Sequence, residues 1–145
     1  MKKASPPDPE FESRIRSSFA LQGLMKTIGA RLLKVDPGEV RIELPYSKAL
    51  TQQHGFIHAG ILSTIADNAC GYAAYTLMPA GSEVLGVENK INFLAPAKGE
   101  RFVAIGKVIK AGRTLAICSG DVWAYSNGEK TLVAVMQTTM MALAR

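Results

Sequence analysis

From Ile61 to Leu77 the chain is apolar at most positions, Ile61-Leu62-Ser63-Thr64-Ile65-Ala66-Asp67-Asn68-Ala69-Cys70-Gly71-Tyr72-Ala73-Ala74-Tyr75-Thr76-Leu77. A turn rich in glycine and histidine comes directly before it, His54-Gly55-Phe56-Ile57-His58-Ala59-Gly60. The run is long enough for about four to five helical turns. Its apolar side chains fall on every face instead of one stripe, so the predicted helix is buried all round. Whatever this chain folds into must wrap other elements around that helix.

The polar residues of the run are not scattered. Ser63 and Asp67 are four apart, as are Thr64 and Asn68, which puts all four on one face. Asp67 is the residue that asks for a reason. Helix propensity disfavours an internal aspartate, and a charged, unpaired one in apolar surroundings costs several kcal/mol. Two readings remain open: a hydrogen-bonded structural aspartate, or a catalytic carboxylate whose basicity is set by its environment.

At 145 residues the chain is one domain, large enough for a real core. No apolar run reaches the eighteen or more residues that span a membrane, and Met1-Lys2-Lys3 opens no secretory signal. We therefore expect a soluble, cytoplasmic protein without stable membrane association. Cys70 and Cys118, the only cysteines, lie in apolar runs and read as small buried hydrophobes instead of a disulfide or metal pair. The net charge of +5 comes from lysines and arginines spread singly, which suits a small anionic ligand better than nucleic acid.

Residues 1–10 contain three prolines and little that is apolar, so they are expected to form a mobile tail, with one domain over 11–145. Phe11, Ile15, Ser18, Phe19 and Gln22 share a helical face, predicting a short amphipathic helix that ends near Gly23. Extended segments over 27–35 and 39–45 flank Asp36-Pro37-Gly38, and this turn signal makes them a hairpin. A connection over 48–56 leads into the central helix, which Met78-Pro79-Ala80-Gly81 stops. Strands are then expected over 84–94, 101–110, 115–125 and 131–142, paired as an antiparallel meander. Asn127-Gly128 is the strongest hairpin signal in the chain. The expected class is α+β: an antiparallel sheet of five to six strands curled around one long helix.

The ordered set Gly55-x-x-His58-Ala59-Gly60, Asp67 seven residues on, Gly71, Asn92-Phe93-Leu94-Ala95-Pro96-Ala97 and Gly112-Arg113-Thr114-Leu115 resembles the hotdog-fold acyl-CoA thioesterases of the PaaI-like group. The likeness covers about residues 23–142. It implies the hotdog fold, two such units pairing sheets edge to edge, dimers joining into a homotetramer, and an active site at the dimer interface. The implied substrate is an acyl-CoA, with no metal or bound cofactor.

By the same resemblance Asp67 matches the catalytic carboxylate. Ala59 matches the glycine whose backbone N–H polarises the thioester carbonyl, and Gln52 stands where many members have the asparagine that holds the water. His58 would orient the loop or the carbonyl. His54, Glu88 and Asn89 are expected near the substrate, and Lys110 and Arg113 near its nucleotide. The chemistry is consistent with this: N–H groups at a helix start lack partners and sit at the positive end of its dipole, so Ala59, Gly60 and Ile61 could meet a developing oxyanion. Ala59 stands where the family commonly has a second glycine, and it keeps the donor only if its φ is negative.

The spacing of His54 and His58 alone would allow a metal, yet no third ligand is placed with them. A hotdog hydratase would need a histidine soon after the aspartate, and no histidine follows Asp67. A non-catalytic acyl-CoA or lipid-binding module would use the same groove without needing Asp67. A transcriptional sensor has too few residues before the fold for a helix-turn-helix.

Overall fold

The computed structural model describes residues 5–144. Two short helices open the chain, α1 (Phe11–Leu21) and α2 (Gly23–Ile28). They are followed by β1 (Arg31–Asp36), β2 (Glu39–Pro45), α3 (Ala59–Tyr75), β3 (Ser82–Phe93), β4 (Arg101–Ala111), β5 (Leu115–Ser126) and β6 (Glu129–Ala144). The strands form one antiparallel sheet in the order β1-β2-β4-β5-β6-β3. Its inner face closes on α3, the helix-in-sheet arrangement that the resemblance implies.

Alternation along the strands makes that inner face. Val40, Ile42 and Leu44 of β2, Phe102 and Ala104 of β4, and Ala116, Cys118, Val122 and Ala124 of β5 are buried at every second position. They meet Leu62, Ile65, Ala66, Ala69, Cys70 and Ala73 of α3 in one core. The closest approach is at Gly106 and Gly120, direct partners across β4 and β5. A Cβ on Gly106 would lie 2.3 Å from the carbonyl carbon and oxygen of Ala69, and one on Gly120 would lie 2.8 Å from the Cys70 sulfur. Glycine at these two positions lets the helix sit against the sheet backbone.

The far end of α3 is held by side chains from distant segments. Arg14 of α1 donates to the carbonyls of Tyr75, Met78 and Pro79 and ion-pairs with Asp8 at 3.0 Å, so a cation meets the negative end of the helix dipole. The Thr76 hydroxyl accepts the N–H of Gly38 at 2.7 Å, tying the β1–β2 turn to the helix end. Residues 1–4 of the expected tail lie outside the described residues; within the rest of it, Asp8 is buried against Arg14.

Three expectations are corrected. The central helix is not buried all round: Ala59 and Gly60 are exposed, and Ser63, Thr64, Asp67, Asn68 and Gly71 are only half-buried along the face that the sheet leaves open. The first extended segment does not begin at Thr27, because α2 runs to Ile28 and Gly29, at φ 75°, ends it with a left-handed cap. The last four strands do not form one meander: β4, β5 and β6 do, whereas β3 crosses to pair with β6 at the sheet edge. The β3–β4 connection explains this. Along it Leu94 donates to Val133, Ala97 accepts from Ile57, and Glu100 donates to Tyr125 and accepts from Tyr46. It therefore spans the sheet end instead of closing a hairpin. Among the described residues no helix is long and apolar enough to cross a membrane.

We expect Gly106→Ala to lower stability by about 3 kcal/mol, because its Cβ would strike backbone that cannot step aside. Gly71→Ala meets only the flexible Met140 side chain, its methyl at 3.7 Å and its sulfur at 3.9 Å, and should be neutral or gain up to about 1 kcal/mol of helix propensity. Urea midpoints of the two variants compare them directly; equal loss at both positions would refute the close-approach reading.

Candidate active site

The turn before α3 is built around Gln52. Its side-chain carbonyl accepts the N–H groups of His54 and Phe56, its own N–H donates to the Phe56 carbonyl, and Gly55, at φ 83°, closes the bend. His58 is the N-cap: its Nδ1 accepts the Gly60 N–H at 2.9 Å, and its carbonyl accepts from Ile61 and Leu62. Of the three N–H groups expected as free donors, those of Gly60 and Ile61 are thus engaged. The Ala59 N–H donates to no acceptor among the described residues. Asn127 is the one described non-glycine residue with positive φ, so Ala59 keeps an ordinary helical backbone.

The polar face of α3 divides in two. Ser63 and Thr64 donate back to the carbonyls of Ala59 and Gly60, a local pairing that leaves little for a ligand. One turn further on, Asp67 and Asn68 face a cleft of about 210 Å³ walled by Ser18 of α1, Gln22 between α1 and α2, Tyr72 and Tyr75 of α3, and Glu83 and Gly86 of β3. Asp67 is half-buried. Burial pushes its carboxyl above the usual carboxylate range, opposed by a long hydrogen bond of 3.5 Å from the Asn89 amide. The inner oxygen of Asn68 is buried without a partner.

A second, more apolar cavity of about 510 Å³ lies at the other end of the helix, lined by Gln52, Phe56, Ala59, Leu62 and residues 93–97. Gln52 and Ala59 therefore share one cavity while Asp67 and Asn89 share another. His54 lies with Tyr46, Phe56 and Lys98 along an open surface pocket. Glu88 is not beside Asp67; its carboxylate accepts the Thr139 hydroxyl at 2.7 Å. Arg113 lines a small cavity with Leu77 and Met78 beyond the C-terminal end of α3, and Lys110 sits nearby on the exposed edge of the β4 bulge. Neither cation is drawn to either larger cavity. Both thiols are buried and pushed up, Cys118 to about 12, so neither offers a nucleophile.

The residues that sequence reasoning missed are the cleft walls: Ser18, Gln22, Tyr72 and Gly86. One signal was present. Ser18 and Gln22 are polar residues on the same α1 face as Ile15 and Phe19, and a polar residue on a core-facing stripe needs a partner. That partner is the Tyr72 hydroxyl.

Residues 54–131 match the family model of the thioesterase superfamily. The chain belongs to the thioesterase superfamily. A crystal structure of a thioesterase family protein from Silicibacter pomeroyi is 50% identical and superposes with a TM-score of 0.92, covering 93% of this chain and 99% of that one. Human acyl-coenzyme A thioesterase 13 is 31% identical over 99 residues, 68% of this chain and 70% of its own. The Escherichia coli PaaI protein shares the fold, at TM-score 0.83 and 18% identity over 93% of this chain and 94% of that one. The hotdog fold expected from the resemblance is thus shown, and the chain is a thioester hydrolase.

The raised pKa of Asp67 has a consequence for stability. Between the ordinary aspartate value and the raised one, the folded protein holds the proton more tightly than the unfolded chain, so stability falls as pH rises through that window. At neutral pH the carboxylate opposes folding. Asp67→Asn should therefore match or exceed the wild-type melting temperature at pH 7, with its advantage gone below about pH 3.9. A clear loss of stability at pH 7 would make Asp67 a structural aspartate.

Proposed function

We propose that this thioesterase hydrolyses an acyl-CoA to the free acid and coenzyme A, with Asp67 as base or nucleophile. The observation that carries the reading is the desolvated Asp67 carboxylate, mid-helix, facing an open cleft. As a base, Asp67 takes the proton of a water whose oxygen attacks the thioester carbonyl carbon. The carbonyl electrons move onto oxygen, where the unpartnered Ala59 N–H meets the negative charge. Collapse of the tetrahedral intermediate breaks the C–S bond, and the proton passes to the departing thiolate. As a nucleophile, Asp67 would instead form an acyl anhydride that water then opens. Gln52 keeps its amide N–H groups for the water, and His58, as N-cap, holds the loop that carries Ala59.

We place these groups on two copies of the chain. Ala59 and Asp67 are eight residues apart on one helix, about 12 Å along its axis, and line separate cavities. β3 is an unpaired edge that exposes Leu85 and Val87, and such an edge is ready to accept another strand. Two β3 strands paired antiparallel about Lys90, with the bulge between Gly86 and Glu88 taking up one residue, would set Gly86 of one copy opposite Phe93 of the other. That pairing brings the Asp67 cleft of one subunit to the Ala59 cavity of its partner. By resemblance, two such dimers form a homotetramer, and two free buried cysteines suit the reducing cytoplasm.

Asp67→Asn should reduce thiol release from acyl-CoA by about 10²-fold or more. The acid limb of the wild-type pH profile should lie above the ordinary aspartate value, since activity requires the ionised form. Unchanged turnover would overturn the assignment, and saturable binding by the wild type without thiol release would favour a binding module.

Ala59→Pro removes the one free N–H at a position where proline suits a helix. It should keep the fold and lower turnover by about 10²-fold or more. Mixed with Asp67→Asn chains, it should recover about a quarter of wild-type activity, because half the dimers are hybrids with one intact site of two. No recovery in proven hybrid dimers would put the whole site in one chain.

A further inference from the structure

The cleft beside Asp67 has an end wall that the hydrolytic reading does not use. Gln22 Nε2 donates to the Tyr72 hydroxyl at 2.7 Å, and the same hydroxyl is 3.1 Å from Ser18 Oγ. All three residues line the cleft, together with Gly71, whose missing side chain leaves room between Asp67 and Tyr72. Asp67 and Tyr72 are separated by about 7.5 Å of helix axis. The cleft volume, about 210 Å³, compares with the roughly 150 Å³ that holds a single benzene ring.

Resting on the proposed hydrolysis, we infer that this cleft is the acyl pocket and that Tyr72, positioned by Gln22 and Ser18, selects short acyl groups with a hydroxyl at their far end. Three features lead there. Beyond Asp67 the cleft runs up against Ser18 and Gln22, and its volume of about 210 Å³ suits a short acyl group better than a long alkyl chain. The closing wall is polar: Gln22, Tyr72 and Ser18 pair with one another but leave one of the two hydroxyl protons without an acceptor, which a substrate hydroxyl supplies and a plain alkyl terminus does not. Tyr72 and Ser18 can each give or take the proton, so the network accommodates a hydroxyl without leaving an unpaired group. The ring of Tyr72 is fixed as well, since its neighbours Phe19 and Tyr75 pack against it. Sites built to hydrogen-bond a substrate hydroxyl discriminate strongly against the analogue that lacks it.

The test compares hexanoyl-CoA, 6-hydroxyhexanoyl-CoA and dodecanoyl-CoA. The wild type should prefer the hydroxylated six-carbon substrate over hexanoyl-CoA by about tenfold or more in kcat/KM and turn over dodecanoyl-CoA poorly. Tyr72→Phe should bring the kcat/KM ratio of the two six-carbon substrates close to one. Gln22→Leu, at the cleft rim, should narrow the same ratio, which covers the case in which Tyr72→Phe does not fold. A wild type indifferent to the hydroxyl, or a ratio that survives both variants, overturns the proposal. Binding of the two six-carbon ligands to Asp67→Asn by calorimetry separates this proposal from the reaction. A hydroxyl preference there, abolished by adding Tyr72→Phe, supports the pocket even if no thiol is released by the wild type, and equal affinities refute it even if hydrolysis is confirmed.

Discussion

A helix apolar over most of its circumference can be buried only if the sheet curls around it, and the sheet can close only where nothing stands between the two backbones. Gly106 and Gly120, facing each other across β4 and β5, provide that gap under Ala69 and Cys70. The chemistry follows from the same packing. Asp67 inherits the low dielectric of this packing, so the pKa of its carboxyl is raised by burial without help from a neighbouring charge. The constraint that makes the fold thus also makes the acid a stronger base. Asp67 remains accessible because β3, beside it, has a glycine at position 86 and a bulge just after it.

Much of this was legible in the residues because local signals and tertiary demand agree. The alternation Val40-Arg41-Ile42-Glu43-Leu44 is a half-buried strand in both, and Asn127-Gly128 makes the tight β5–β6 hairpin with both residues at positive φ. What escaped is what the chain encodes non-locally. Short connections favour neighbouring strands, yet β3 crosses to the far edge because residues 94–100 are hydrogen-bonded successively to β6, to Ile57 before α3, and to β5 and Tyr46 just after β2. The glycines at 106 and 120 did carry a signal. An isolated glycine inside a strand marks a bulge or a close backbone approach, but which one, and to what, depends on a helix some forty residues away in sequence.

The site shows the same division. Helical spacing grouped Ser63, Thr64, Asp67 and Asn68 correctly, but spacing is blind to which hydroxyls are already paired within their own turn. Dipole reasoning located three N–H groups at the helix start and missed that the His58 cap engages Gly60 and Ile61. A cap and an oxyanion donor compete for the same groups. With this cap present, the position before Gly60 is left with the free donor, and an alanine there keeps it as well as a glycine does.

Under the proposed reading the helix that carries both donor and acid also explains why one chain is not enough. A straight helix is stiff, so no loop motion shortens the roughly 12 Å of axis between Ala59 and Asp67, whereas the groups acting on one carbonyl must lie within about 3 Å of the reacting atoms. Either the helix breaks or a second helix supplies the missing half. Breaking it would expose the apolar faces that Gly106 and Gly120 let the sheet cover. Pairing two β3 edges leaves both cores intact and removes the unpaired edges that carry Leu85 and Val87. It also places a desolvated carboxylate against a dipole-oriented N–H without burying the two side by side in one chain. The selection of a short hydroxylated acyl group then falls to Tyr72 of α3 as positioned by Ser18 of α1 and by Gln22 at its C-cap, away from the paired edges, so these two supports can change the acyl group accepted without altering the groups that hydrolyse it.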